Sequence, residues 1–158
     1  MTTLANRRRP ATYDDVKGND ANIKILRDSL AQPEATRPRV FVLTGAPGSG
    51  KTTLARIAAA SLVTDPELDI MEINGSAQNK KEDAEALLDT VQFRPMSGGA
   101  RAIIYDEAHF TTAAAWAMLL KPLEDGHGHN YWFICTSEDK KIPGAIRRRA
   151  KCLEVKGL

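Results

Sequence analysis

At 158 residues, with 22 basic and 20 acidic side chains, the chain is long enough for one well-buried core and is almost neutral. That balance makes overall charge no argument for or against a nucleic-acid partner, so only local clusters can supply one. No apolar run reaches bilayer length, the basic N-terminus has no apolar stretch behind it, and the two cysteines lack CxxC spacing, so a membrane is excluded and a reducing, cytoplasmic setting is expected.

Residues 1–19 read as irregular, with Arg9-Pro10 and Gly18-Asn19 as breakers. Asp20 can cap a helix to about Ala31 whose face is Ile23, Leu26 and Leu30. Gln32 to Arg39, with its two prolines, is a connection to the apolar strand Val40-Phe41-Val42-Leu43. Lys51 to Leu62 reads as a helix with Leu54, Ile57, Ala58 and Leu62 on one side. Leu68 to Ile73 alternates and predicts a second strand. Lys80 to Val91 has helical spacing at Ala84, Leu87, Leu88 and Val91. Ala102 to Tyr105 is continuously apolar, as in a strand covered on both faces. A helix from Thr112 carries Trp116, Leu119, Leu120 and Leu123, and Tyr131 to Cys135 is a fourth buried strand. Pro143 opens a short helix and Lys151 to Val155 forms a last strand. Strands alternating with helices predict an α/β fold with a parallel, doubly wound sheet.

Gly45-Ala46-Pro47-Gly48-Ser49-Gly50-Lys51-Thr52-Thr53 fits G-x-x-x-x-G-K-[ST] in full, between a strand and a helix. The glycines allow close backbone approach, so that N–H groups and the helix N-terminus face phosphate oxygens. Lys51 reaches β and γ phosphates, and Thr52 offers a hydroxyl to Mg²⁺. Asp106-Glu107 ends an apolar strand, where open α/β sheets hold their ligands. Asp106 is placed to hold Mg²⁺ opposite Thr52, and Glu107 to orient and deprotonate an attacking water. Thr136 and Ser137 end the next strand with hydroxyls suited to the γ phosphate. Arg147-Arg148-Arg149 is a basic run of the kind that usually forms a solvated surface, but it can also serve a neighbour's triphosphate. His109, His127 and His129 are not expected to form a metal site, His127-Gly128-His129 reading as an exposed Gly-rich loop, and Trp116 and Trp132 read as packing.

Taken in series, these residues resemble the AAA+ ATPases of the sliding-clamp loader family, notably the gamma/tau subunit of bacterial DNA polymerase III and replication factor C small subunits. The resemblance rests on Arg9-Pro10 through Tyr13, Val16 and Gly18, on Leu87 to Pro95, on Asp106-Glu107-Ala108-His109, on Leu119-Leu120-Lys121-Pro122-Leu123-Glu124, and on Thr136 with Lys141-Ile142-Pro143. It implies a five-stranded parallel sheet of order 5-1-4-3-2, a single ATPase domain over 1–158 and ATP/ADP with Mg²⁺ as ligands. Arg9, Pro10, Val16 and Gly18 lie over the adenine, Thr136 is the first sensor and Arg149 is the arginine acting on a neighbouring subunit. Lys80 and Lys81 take DNA phosphates, and Asn74 restrains Glu107 until DNA arrives. Implied partners are other loader subunits in a ring, a sliding clamp and primer–template DNA.

The family places its trans-acting arginine in a Ser-Arg-Cys triplet, whereas this chain has Arg148-Arg149-Ala150. The four-cysteine zinc module of gamma/tau is missing between Ser61 and Leu68, so no zinc is expected. Lid and collar are absent, as in an excised domain or a short, phage-encoded version in host cytoplasm, which implies weak turnover in isolation. The alternatives are another AAA+ DNA-processing ATPase (a branch migrator or helicase loader) and a non-hydrolysing scaffold subunit. The Leu-Leu-Lys-x-Leu-Glu segment favours the clamp loader over the first, and the presence of both Lys51 and Glu107 counts against the second.

Overall fold

A computed structural model describes residues 12–125 and 128–157. Arg9 and Pro10, expected at the adenine, and His127 lie outside them. Five strands form one all-parallel sheet: β1 Val40–Thr44, β2 Ile70–Asn74, β3 Arg101–Asp106, β4 Asn130–Thr136 and β5 Lys151–Glu154. Their order across the sheet is β2-β3-β4-β1-β5, the expected 5-1-4-3-2 read from the other edge.

The helices are α1 Asp20–Leu30, α2 Lys51–Leu62, α3 Pro66–Asp69, α4 Lys81–Val91, α5 Ala113–Asp125 and α6 Gly144–Arg149. Strand alternation sorts them onto two faces. Phe41, Leu43, Ile104, Phe133 and Cys135 pack against Ile23 and Leu26 of α1 and Leu54, Ala55 and Ala58 of α2. Val42, Ile103, Tyr105 and Ile134 meet Leu87 and Val91 of α4, Trp116 and Leu119 of α5, and Ile146 of α6. Both faces are therefore dry, which is why the central strands are apolar runs rather than alternating ones. Phe41 and Phe133 stack with centroids 5.1 Å apart across β1 and β4. Burying each ring contributes about 1.5–3 kcal/mol.

The boundaries moved in instructive ways. Leu68 does not begin β2: Asp65 caps a short helix by accepting from the Glu67 N–H, and Leu68 is left exposed. Lys80 and Thr112 stand just before their helices, the latter accepting from the Ala115 N–H. Cys135 and Cys152 lie on the strands flanking β1 and are both free thiols. No helix among the described residues is long and apolar enough to cross a membrane.

Because every strand runs the same way, their C-terminal ends share one edge. Thr44 is level with Thr136 in β4, and Asn74 is level with Asp106 in β3. The loop after β1, the carboxylates after β3 and the hydroxyl ending β4 are thus brought side by side from distant parts of the sequence.

Candidate functional site

The loop from Gly45 to Gly50 leaves β1 and enters α2. Gly48 and Gly50 have φ of 77° and 98°, a left-handed backbone that favours glycine. Such turns direct successive N–H groups into one concavity. The Lys51 side chain is only 8% exposed, and its Nζ donates to the Gly45 carbonyl at 2.8 Å and the Ala46 carbonyl at 2.9 Å. A charge buried this deeply is costly unless it is partnered, so the loop carbonyls hold the ammonium inside the curve of backbone.

Two observations test whether this loop suits a polyphosphate. The Ser49 Oγ is buried without a hydrogen-bond partner among the described residues. A Cβ at Gly45 would collide with the Val155 carbonyl oxygen and come within 2.8 Å of Ser49 Oγ, so only glycine fits there. An unspent hydroxyl, a buried cation and a glycine-only curve form a donor-rich concavity that fits an anion. Beside it lies a cavity of about 590 Å³ lined by Val16, Lys17, Ala46, Pro47, Gly48 and Gly157, among others. Val16 lines this cavity, and Gly18 takes φ 77° in the turn before α1. Lys17 and Gly157 escaped sequence reasoning, since neither belongs to a motif.

At the neighbouring strand end, Glu107 has φ 52° and ψ 41°, a conformation that costs a non-glycine residue about 1–2 kcal/mol. Its N–H donates to Asp106 Oδ1 at 3.0 Å, and its side chain is half exposed. Strain of this kind gathers where a side chain must be aimed. Gly75 donates to the Asp106 carbonyl at 2.7 Å, Tyr105 Oη to the Gln78 carbonyl at 3.2 Å, and the Thr112 N–H to the Asn79 carbonyl at 3.0 Å. The loop carrying Gln78, Asn79 and Lys80 is therefore fastened to the carboxylate segment by its backbone. Asn74 does not restrain Glu107 here: its Oδ1 accepts from the N–H and hydroxyl of Ser76 instead.

Thr136 is 1% exposed, and its Oγ1 lies 3.1 Å from His109 Nδ1. His109 Nε2 is 3.3 Å from Glu107 Oε2. His109 thus stands between Thr136 and Glu107, and a sequence reading has no signal for these partners except the spacing Asp-Glu-Ala-His. His129 lies in the turn before β4 as expected, but half-buried rather than exposed, with Nε2 3.0 Å from the Val91 carbonyl oxygen. Cys135 lies under the site. Burial pushes its thiol far up, Asp106 adding to the shift and Lys51 opposing it, so both of those charges lie within electrostatic reach of one buried atom.

Arg149 is not brought to this edge. It ends α6, donates to the Glu124 carbonyl at 3.1 Å and precedes Lys151, which is paired with Phe41. At ~3.3 Å per residue, that pairing puts Lys151 about 13 Å along the strand axis from Gly45. Lys80 and Lys81 are exposed at the start of α4, with Lys81 4.0 Å from Glu85.

The family described as DNA polymerase III, delta subunit, matches residues 64–158. The chain belongs to that family. A second family, described as Zeta toxin, matches residues 23–74, the stretch around the loop after β1. The DNA polymerase III subunit tau of Salmonella typhimurium is 28% identical over 98% of this chain and 27% of its own length. The subunit tau/gamma of Haemophilus influenzae is 29% identical over 98% of this chain and 25% of its own. The chain spans about a quarter of the length of these curated relatives. Among solved structures, the Thermotoga maritima RuvB Holliday junction branch migration motor superposes with TM-score 0.74 at 26% identity, covering 92% of this chain and 48% of that one. A DNA polymerase III gamma subunit-related protein from the same organism, 16% identical over 85% of this chain and 45% of its own, has TM-score 0.71 and shares the fold. The fold is that of the AAA+ P-loop proteins, and the resemblance to gamma/tau read from the motifs is borne out.

Proposed function

We propose that this chain is the ATP-binding and hydrolysing part of a DNA sliding-clamp loader subunit. The observation that carries the reading is the buried Lys51 ammonium inside a glycine-only loop, at the same sheet edge as Asp106, Glu107 and Thr136. The relatives named tau and gamma/tau support assigning it to replication. In this reading Gly45 to Thr53 hold the β and γ phosphates by backbone N–H groups, and Ser49 adds its free hydroxyl. Val16 and the turn at Gly18, with Arg9 and Pro10, cover the base. Thr52 and Asp106 would hold Mg²⁺, which when bound neutralises charge on the phosphate oxygens. Glu107 aligns the attacking water and accepts its proton, and Thr136 donates to the γ phosphate or that water. Arg149, two residues before the start of β5, serves the loop of an adjacent subunit in a ring. Lys80 and Lys81 take phosphate contacts from DNA without reading sequence. The sliding clamp and primer–template DNA are the partners.

The branch-migration reading has one observation in its favour, the superposition on RuvB. ATP turnover, measured with cognate loader subunits, separates the two. Stimulation by clamp with primer–template DNA supports the loader, whereas stimulation by four-way junctions alone replaces it with the motor. In the same assay Glu107→Gln is expected to bind ATP and not turn it over. Turnover in that variant removes Glu107 as the base.

A further inference from the structure

Gly18-Asn19, legible in the sequence only as a breaker, forms the turn before α1. Asn19 has φ 57° and ψ 28°, a left-handed conformation that asparagine tolerates better than most non-glycine residues. It stands at the N-cap of α1, where a side chain ordinarily accepts from an N–H of the first turn, yet it makes no such bond. Its amide is spent across the molecule instead. Nδ2 donates to the Lys156 carbonyl at 2.8 Å, and Oδ1 accepts from the Lys156 N–H at 2.8 Å. The two groups make opposite demands, which an amide meets and a carboxylate, with no proton to give, does not. Three residues on, Asn22 Nδ2 donates to the Glu154 carbonyl at 2.7 Å and lies 3.3 Å from Asn19 Oδ1.

β5 is an edge strand, and its main chain continues past Glu154. On one side the Val155 N–H donates to the Thr44 carbonyl at 2.6 Å, and the Val155 carbonyl oxygen closes over Gly45. On the other side Glu154 and Lys156 meet the two asparagines, as the alternation of an extended chain requires. The amides of Asn22 and Asn19 thus stand in for a further strand at this end of the edge. Residues 154–157 are held between the phosphate loop and the start of α1. Gly157 and Asn19, with Val16, Lys17 and Pro47, line the cavity beside that loop.

We propose that Asn19 is a positioning residue for the nucleotide: by pairing with both main-chain groups of Lys156, it sets Gly157 as a wall of the base cavity before any ligand arrives. The proposal rests on the reading that ATP occupies this cavity and the loop beside it. A wall that is already ordered does not have to be ordered on binding, so the amide acts by preorganisation. Without it Val155 stays tied to β1, while Lys156 and Gly157 are released and the base has to fix them itself. The phosphate loop takes no part in the pairing, so the effect falls on the base end of the ligand.

Asn19→Gly removes the amide and keeps the left-handed turn, which glycine adopts freely, and so separates the side chain from the backbone conformation. In isothermal titration of the full chain, ATP with Mg²⁺ is expected to bind the variant about tenfold more weakly, the scale set by two ordinary hydrogen bonds. Inorganic triphosphate, measured by competition with ADP, is expected to keep its wild-type affinity. Hydrogen exchange followed by NMR in the nucleotide-free chain is expected to show the Lys156 amide exchanging about tenfold or more faster in the variant, with the Val155 amide unchanged. Unchanged ATP affinity overturns the proposal. So does weakened ATP binding with Lys156 exchanging at the wild-type rate, which makes Asn19 a direct contact to the base. Equal losses for ATP and triphosphate also overturn it, because they place the effect in the phosphate loop. No ATP binding by the wild-type chain overturns the ATP reading and this proposal with it, and faster Lys156 exchange in the variant would then leave Asn19 as a purely structural clamp.

Discussion

Gly75→Ala probes how tightly the carboxylate segment is held by the loop beside it, without touching the phosphate loop. Gly75 follows β2, is buried, and donates to the Asp106 carbonyl at 2.7 Å. A Cβ there would overlap the Glu107 carbonyl oxygen and stand 2.9 Å from the Asp106 carbonyl oxygen and 3.0 Å from the Glu107 carbonyl carbon. Comfortable separations are about 3.5 Å, so one backbone segment has to move by roughly 0.5–1 Å. These are main-chain atoms at a strand end and cannot swing aside as a flexible side chain does. Overpacking of this kind costs about 1–3 kcal/mol. For a chain of this length, that lowers Tm by about 2–12 °C in scanning calorimetry. The same displacement falls on Asp106 and Glu107, where about 1 Å of misplacement lowers kcat on the order of 100-fold. Nucleotide affinity by isothermal titration is expected to stay at the wild-type value, because Gly45 to Thr53 are untouched. Wild-type Tm together with wild-type turnover would refute the reasoning, and a lost affinity would show that the strain spreads to β1.

Lys51→Met should abolish nucleotide-dependent thermal stabilisation. A ligand at 100 times its Kd adds about 2.7 kcal/mol, or roughly 5–11 °C in Tm here, and a shift of that size in the variant would remove Lys51 from the binding role. Arg101→Leu should cost about 2–4 kcal/mol in urea unfolding. The buried Arg101 Nη1 donates to the carbonyls of Val91 and Phe93 and to Asn130 Oδ1, tying the end of α4 to β3 and β4, and an unchanged midpoint would contradict that. Cys135 sets a pH dependence whose sign follows from its raised folded-state pKa. Stability from the protonated thiol is complete below the unfolded value near 9.0 and is lost above it, because the unfolded chain releases the proton first. The slope there is about 1.4 kcal/mol per pH unit, and Cys135→Ala should flatten it between about pH 9 and 10 relative to wild type. An identical slope in the variant would assign the alkaline loss to other groups.

The local features of this chain are legible in its sequence because short-range chemistry fixes them. Gly45 to Thr52 is readable since a phosphate-binding turn needs glycines and a lysine at set offsets, and the turn lies between an apolar strand and a helix. The strands were readable too, their apolar runs reporting burial on both faces, and serial motif agreement supplied the sheet order. Boundaries blurred where a side chain decides them, as at Asp65, which caps α3 and displaces Leu68 from β2. The pairings across the site were out of reach. That His109 stands between Thr136 and Glu107, that Gly75 presses on the Asp106–Glu107 backbone and that Asn74 turns to Ser76 all depend on strand register and on rotamers set by neighbours far along the chain. Spacing in sequence determines which groups arrive at the sheet edge; only packing of the parallel strands decides which of them touch.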